Sequence, residues 1–201
     1  MEIEQVVKSQ YAQIFRETDW QTFKMMADYY LETAARILKK DINIDYKLMG
    51  RNIQKRLFIG IGTELLLKAL FLKNDYCINK LREGCTGPKK PIVFSLITTE
   101  SDLNDKDTYT LNPFIDNIEN IITTDDIKKL KKGLKIAKVF RNKEGHVAVL
   151  WHKFDPQNYT DIENSIKEIY EKGFNEKLDF QISFENDEEA LFSIKKIDTF
   201  I

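Results

Sequence analysis

The sequence contains few residues of several types, and each scarcity excludes a class of protein. Only two cysteines, Cys77 and Cys85, occur in 201 residues, which excludes a disulfide scaffold and favours a reducing, cytoplasmic setting. Eight glycines and four prolines, with 42% hydrophobic residues, exclude collagen-like and disordered chains. No apolar run approaches the roughly 18 residues of a membrane-spanning helix, and the N-terminus shows no signal-peptide pattern. We therefore expect a cytoplasmic protein without a membrane segment.

Charge is balanced over the whole chain but uneven along it. The 31 basic and 32 acidic residues leave a net charge of −1, which argues against a general nucleic-acid coat protein. The segment 127–143 nevertheless contains eight lysine and arginine residues and no acidic residue. A helix there would carry most of its lysines opposite an apolar face. The overall balance therefore conceals one strongly basic surface.

Apolar spacing predicts a mainly α-helical fold. The pattern changes at Leu178, where apolar and polar residues alternate as in a strand and predict a C-terminal β-hairpin; residues 188–197 could instead be helical. We expect a helical domain over 1–175, with a long irregular insertion at about 74–112, and a hairpin appendage over 176–201. The predicted helices span about 5–15, 19–40, 48–72, a short stretch from Asn112, about 127–144 and 161–171.

Arg141 is the most informative residue of the basic segment. On a helix it shares the face of Ile127, Leu130, Leu134 and Ala137. An arginine on an apolar face must be paired or bind an anion in a cleft or an interface.

One of the only two histidines, His146, follows Arg141 by five residues. A straight helix would separate the two by about 140°. Gly145 would allow the helix to end or kink, so that Arg141, Asn142 and His146 converge. The alternative is an arginine paired with a core carboxylate and a histidine at a helix end.

Three features together resemble the HEPN superfamily (higher eukaryotes and prokaryotes nucleotide-binding) over about residues 15–173. They are a long apolar helix with the sequence Thr-Glu-Leu-Leu-Leu-Lys-Ala at 63–69, a loop-rich middle, and Arg141-Asn142 followed, after three intervening residues, by His146. The family signature is arginine, a polar residue, three to five further residues, and histidine. The resemblance implies an antiparallel bundle of about five or six helices that dimerises and, in many members, cleaves RNA without metal. Other members are non-catalytic binding or assembly modules, and many are paired with a separate nucleotidyltransferase that acts as antitoxin.

The residues of this motif suit RNA cleavage chemically. His146 could transfer protons near neutral pH, Arg141 could stabilise phosphorane charge, and Asn142 could orient the phosphate or the histidine. One histidine is few for two proton transfers, and a dimer would supply the second. Glu64 and Lys68 predict an i, i+4 salt bridge and are candidates for a supporting role. The lysines expected to bind RNA are Lys128, Lys131, Lys132, Lys135 and Lys138.

Other candidate sites fit their motifs poorly. His152 and Asp155 lack metal-ligand spacing, so we expect neither a metal nor a cofactor. Gly60 and Gly62 lack the preceding strand and third glycine of a dinucleotide loop and indicate close helix packing instead.

The sequence and the resemblance together favour a cytoplasmic, homodimeric endoribonuclease that leaves 2′,3′-cyclic phosphate ends. A role as a toxin or phage-defence effector is implied by the resemblance alone. The alternative is a non-catalytic HEPN-like module that binds nucleotide, RNA or a partner protein. A third interpretation, a plain interaction bundle, requires a structural carboxylate to occupy Arg141 fully.

Overall fold

Helices dominate the part of the chain that a computed structural model describes, which comprises residues 20–37, 45–81, 91, 93, 103–146 and 155–183. The expected mainly α-helical fold is therefore confirmed for these residues. Its elements in chain order are α1 (Trp20–Arg36), α2 (Asp45–Lys73), β1 (Asn79–Leu81), β2 (Leu103–Thr108), α3 (Leu111–Asn117), a 3-10 turn (Ile118–Asn120), α4 (Ile127–His146), α5 (Pro156–Glu168) and a π-helical turn (Ile169–Phe174).

Helix α2 is the centre of the fold, with α1, α3 and α4 packed against it. Its second half is apolar nearly all round, as an enclosed helix requires, and Ile59, Leu66, Leu70 and Phe71 are fully buried. Helix α1 contributes a stripe of small and apolar residues at helical spacing, which includes Ala27, Leu31 and Ala34. None of the helices in the described ranges has the length and hydrophobicity needed to cross a membrane.

Helix α4 lies between α2 and α5. Leu130, Leu134, Ala137 and Phe140 recur every three or four residues and are buried, while the lysines occupy the other side. Helix α5 approaches α4 closely at Gly133, where a Cβ would lie only 2.2 Å from the Asp161 carbonyl oxygen. Helix α4, which carries the basic segment, therefore packs against α2 on one face and against α5 on another.

The segment 74–112, expected to be irregular, contains a short antiparallel sheet. Strand β1 pairs with β2 in a register that sets Asn79 against Thr108 and Leu81 against Leu103, with an irregularity between them. The prediction was wrong here because β2, with the sequence Leu-Asn-Asp-Lys-Asp-Thr, is mostly polar. Its pairing depends on a distant segment and not on its own hydrophobic pattern.

Several helix ends differ from those predicted. Helix α1 ends at Arg36, and α3 begins after Thr110, so Asn112 lies inside the helix and does not cap it. The carboxylate of Asp126 accepts from Lys129 N at 3.0 Å at the start of α4.

Helix α5 begins earlier than expected because Pro156 occupies its first turn and Asp155 caps it. The π-helical turn carries the helical segment beyond the predicted end at 171 to Phe174, and Asn175 caps it with a φ of 58°, which asparagine tolerates.

Residues 178–183 show the predicted alternation without forming a strand. Leu178, Phe180 and Ile182 face the helical core, and Ile182 is fully buried. Glu163 accepts hydrogen bonds from Ile182 N at 2.8 Å and Ser183 N at 2.6 Å, so a side chain satisfies backbone groups that a ladder would otherwise use. The second predicted strand, and the helix expected at 5–15, lie outside the described residues.

Candidate functional site

Arg141 is positioned by a close crossing of α2 and α4. A Cβ placed on Gly60 would lie 2.5 Å from Arg141 Cβ and 2.6 Å from its Cα and N. Only a glycine allows the α4 backbone to approach α2 so closely at this point. Gly62 plays the same part toward α1, since its Cβ would lie 2.7 Å from Leu31 Cγ. The expected close packing at both glycines is confirmed.

Glu64 joins Arg141 to Lys68. Its Oε1 lies 2.9 Å from Lys68 Nζ, which confirms the predicted i, i+4 salt bridge, and its Oε2 lies 2.9 Å from Arg141 Nε. The Glu64 side chain is only 13% exposed. A carboxylate with so little access to water requires compensating charge, and here two cations supply it. The structure therefore brings together three of the predicted site residues.

This carboxylate does not cover Arg141 completely. The arginine side chain remains 38% exposed, and its Nη1 lies 3.3 Å from Asn142 Oδ1. Glu64 engages the Nε edge and fixes the direction of the guanidinium, while part of the group stays at the surface. The plain interaction bundle required full occupation of Arg141 by a structural carboxylate, and that condition is not met.

Helix α4 continues through Gly145 to His146 without the predicted break. At about 100° per residue, positions 141 and 146 are therefore about 140° apart around the helix axis. The predicted end of the helix before His146 is therefore wrong, whereas convergence of the three side chains stays a prediction. Position 146 instead follows Asn142 by one turn. The His146 side chain lies outside the described residues.

The five predicted RNA-binding lysines divide into two groups. Lys131 bonds to the Glu119 carboxylate and the Asp116 carbonyl oxygen, and Lys132 Nζ lies 2.6 Å from Asp161 Oδ2. Within the described ranges, the ammonium groups of the other three (Lys128, Lys135 and Lys138) form no such ion pair. These three are the more available for an anionic ligand.

Two buried carboxylates on α5 were not predicted from the sequence. Burial disfavours the charge on Asp161, but hydrogen bonds from Lys132 and Gln157 outweigh it and hold its pKa below the usual range. Burial likewise opposes ionisation of Glu163, whose pKa is nevertheless lowered by hydrogen bonds from Lys167 and Ser183. Nothing in the local sequence distinguishes these residues from surface acids.

Asn52 and Arg56 were also missed, although they continue the row of the predicted Glu64 and Lys68 along α2. Asn52, Arg56, Gly60, Glu64 and Lys68 follow one another at four-residue steps, which forms a single ridge on a helix. Asn52, Arg56 and Lys68 are all buried. Their spacing is the signal that could have revealed them, because polar residues repeated along one ridge of an otherwise apolar helix are unusual.

The remaining candidates contribute little to this site. Cys77 is buried, with Sγ 3.9 Å from the Asn79 carbonyl oxygen. His152 and Cys85 lie outside the described residues. Within the described ranges, no three His, Cys, Asp or Glu side chains are grouped as metal ligands would be.

Comparison of the chain with protein-family models, curated proteins and solved structures finds no match.

Proposed function

We propose that this protein is a metal-independent endoribonuclease of HEPN type, acting through Arg141, Asn142 and His146. The proposal rests on how the Arg141 side chain is paired and how far it is exposed. A nearly buried carboxylate holds its Nε edge, yet more than a third of the side chain is exposed. A guanidinium fixed in this way can bind phosphate oxygens without first losing conformational freedom.

The proposed site is composite and needs two subunits. Since α4 is helical to residue 146, positions 141 and 146 of one chain diverge around its axis. A second subunit related by a two-fold axis would bring the partner subunit's His146 toward Arg141, and the reverse. Two histidines per site then supply the base for the 2′-hydroxyl proton and the acid for the leaving 5′-oxygen.

Each group has a distinct role in the proposed reaction. One histidine removes the 2′-hydroxyl proton, and that oxygen attacks the adjacent phosphorus while the bond to the 5′-oxygen breaks. Arg141 stabilises the charge that develops on the phosphorane. Asn142, which already contacts the guanidinium, orients the phosphate. The products are a 2′,3′-cyclic phosphate and a 5′-hydroxyl.

The exposed lysines of α4 would guide RNA to this site. Lys128 and Lys135 lie on the side of α4 that faces solvent, and Lys138 is partly exposed beside them. For every lysine that no longer neutralises a phosphate of single-stranded RNA, the salt slope of binding should decrease by about 0.7. Changing Lys128 and Lys135 to Gln should therefore flatten the slope. Lys131→Gln is the matched control, since Lys131 is already engaged by Glu119.

A non-catalytic RNA- or nucleotide-binding module is the second candidate. It is favoured by the ion pair that already occupies one edge of Arg141, and by a helix that does not break at Gly145. In this case Arg141 and the lysines would bind phosphate without cleaving it.

Cleavage of a panel of RNAs in EDTA distinguishes the two candidates. Under the catalytic proposal His146→Ala and Arg141→Ala each abolish cleavage while the dimer persists. The histidine change alone should cost about 10²- to 10⁴-fold in rate. Asn142→Ala should be milder, and His152→Ala is the matched control for loss of a histidine. A wild-type protein that binds RNA but cleaves none of the panel would leave the binding module as the better account.

Assembly and cellular effect give two further tests. Light scattering over a wide concentration range should find a dimer, and a monomer throughout would contradict the composite site. A ribonuclease of this kind would act as a toxin or phage-defence effector, restrained by a separate antitoxin. Growth arrest and RNA degradation on induced expression, both lost in His146→Ala, are the expected outcomes.

A further inference from the structure

Helix α1 and the residues after the π-helical turn enclose a groove of about 420 Å³ on the side of the fold formed by α1. Four carboxylates line it, against the amino groups of Lys24 and Lys177. We call it the acidic groove, and its four carboxylates are those of Asp28, Glu32, Glu176 and Asp179. The groove lies within the size range of sites that bind ligands or side chains of a partner.

Lys24 lies in the groove wall and already forms two ion pairs and a ring contact. Its Nζ lies 2.8 Å from Asp28 Oδ1 and 2.9 Å from Glu176 Oε2, and 4.0 Å from the centre of the Tyr170 ring. The Tyr170 hydroxyl donates to Asp28, and burial raises the pKa of that tyrosine, so it remains a neutral donor. Lys24 and Lys177 line the groove with the four carboxylates, and Arg36 pairs with Glu32 at 3.0 Å. Four carboxylates against these three cations leave one net negative charge, so the groove is weakly acidic.

The rim of the acidic groove is apolar to an unusual degree. Met25 and Tyr29 both line the groove, are 62% and 60% exposed, and lie one helical turn apart on α1. Single exposed apolar residues need no explanation, but a cluster bordered by charges is typical of an interaction surface.

The other exposed large hydrophobic residue of the described ranges lies on the basic helix. Val139 of α4 is 42% exposed. Lys128 and Lys135 lie within about 40° of it around the helix axis, and Lys143 lies about 40° to its other side. We call Lys128, Lys135, Val139 and Lys143 the lysine face. Of the exposed large apolar residues of these ranges, three lie on α1 at or near the acidic groove, and Val139 lies singly among lysines.

We propose that the acidic groove of one copy binds the lysine face of α4 of a second copy. Val139 would contact Met25 and Tyr29 while the flanking lysines lie against the groove carboxylates. The two surfaces are different patches of one chain, so the contact is head-to-tail, and such contacts propagate unless the rotation closes a ring. It differs in kind from the two-fold contact proposed around Arg141, which would join identical surfaces.

One consequence rests on the proposed function. If RNA follows the lysines of α4, a second copy seated on the lysine face excludes it. Self-association would then keep the protein from binding RNA. RNA, by competing for the same lysines, would dissociate the assembly. The contact itself can be tested without any cleavage assay.

Sedimentation velocity across a range of concentrations and salt is the test. We expect weight-average mass to rise with concentration in about 20 mM salt and to fall back in about 500 mM salt, because charge pairs at the surface are screened. Lys135→Glu and Asp179→Lys should each weaken the association at least tenfold. Asp116→Lys, which makes the same charge change on exposed surface outside the groove, should have no effect.

Mixing the two variants gives the decisive result. Neither Lys135→Glu nor Asp179→Lys should self-associate alone. In a mixture, the acidic α4 face of Lys135→Glu can bind the basic groove of Asp179→Lys, and the lysine face of Asp179→Lys can bind the acidic groove of Lys135→Glu. Association should return in the mixture. A protein that does not associate at low salt, or a mixture that stays as dissociated as its components, overturns the proposal. Association unaffected by either variant, which would indicate another surface, also overturns it.

Discussion

Replacing Gly60 by alanine tests the crossing on which the whole site depends. The added Cβ would lie 2.5 to 2.6 Å from three atoms of Arg141, two of them backbone. Ordinary contacts of a Cβ begin near 3.4 Å, so α2 and α4 must separate by about 1 Å. Overpacking of this kind costs about 1–3 kcal/mol, which alanine's helix propensity offsets by up to about 1 kcal/mol. Because backbone atoms must move, the upper part of the overpacking range applies, about 2–3 kcal/mol, and we expect a net destabilisation of about 1–2 kcal/mol.

Gly50→Ala is the matched control. Gly50 lies in the same helix, is exposed, and has no atom within 4 Å of a built Cβ. The same substitution should stabilise the protein there by about 0.5–1 kcal/mol through helix propensity alone. For a chain of this size a change of about 1 kcal/mol corresponds to a Tm change of about 2–4 °C. Calorimetry should thus find the two variants displaced in opposite directions from the wild type.

Gly60→Ala should also alter the candidate site around Arg141. Separation of α2 and α4 lengthens the 2.9 Å contact between Glu64 and Arg141 and frees the guanidinium to move. Glu64→Gln should then destabilise Gly60→Ala less than it destabilises the wild type, which a double-mutant cycle measures. Equal stabilisation by alanine at positions 50 and 60 would refute the close crossing.

Three other predictions concern charged side chains outside this crossing. Glu163→Gln should cost about 1–2 kcal/mol at neutral pH. Because the pKa of Glu163 is lowered in the folded state, its contribution is present above its ordinary value of 4.5 and is lost as the pH falls. Denaturant unfolding should therefore find the gap between variant and wild type closing in acid, and a constant gap would contradict it. Lys132→Gln should destabilise by about 1 kcal/mol because the buried carboxylate of Asp161 loses its ion pair, and NMR titration should detect a higher pKa for Asp161. Lys135→Gln should stay within about 0.5 kcal/mol of the wild type in thermal unfolding, and a larger loss would mean that this lysine supports the fold.

Strong helical periodicity made α1 and α4 predictable, and their apolar faces are the buried ones. The sequence also pointed to Arg141 because an arginine interrupts the apolar stripe of α4. The partner of Arg141 could not be identified this way, since Glu64 lies on another helix and contact depends on how the two pack. The salt bridge between Glu64 and Lys68 was predictable because both lie on one helix.

The errors arose where distant contacts outweigh local preference. Gly145 permits a helix to end but does not require it, and α4 continues to residue 146. Strand β2 forms from polar residues because β1 offers its backbone groups. The burial of Asp161 and Glu163 depends on cations and backbone groups contributed from elsewhere in the chain or one turn along α5, which no hydrophobic pattern records.

The pairing of Leu81 with Leu103 has a consequence for how this chain could be lengthened or shortened. The connection 82–102 begins and ends at neighbouring positions of one short sheet. Loop-closure entropy grows only with the logarithm of length, so replacing this connection by a turn of about four residues would gain roughly 1–2 kcal/mol at most. Such a turn would sacrifice the bridge between Tyr76 and Val93 but no helix contact described above. Positions 81 and 103 are thus a natural graft point, at which foreign segments could be exchanged while α2 and α4 keep their crossing.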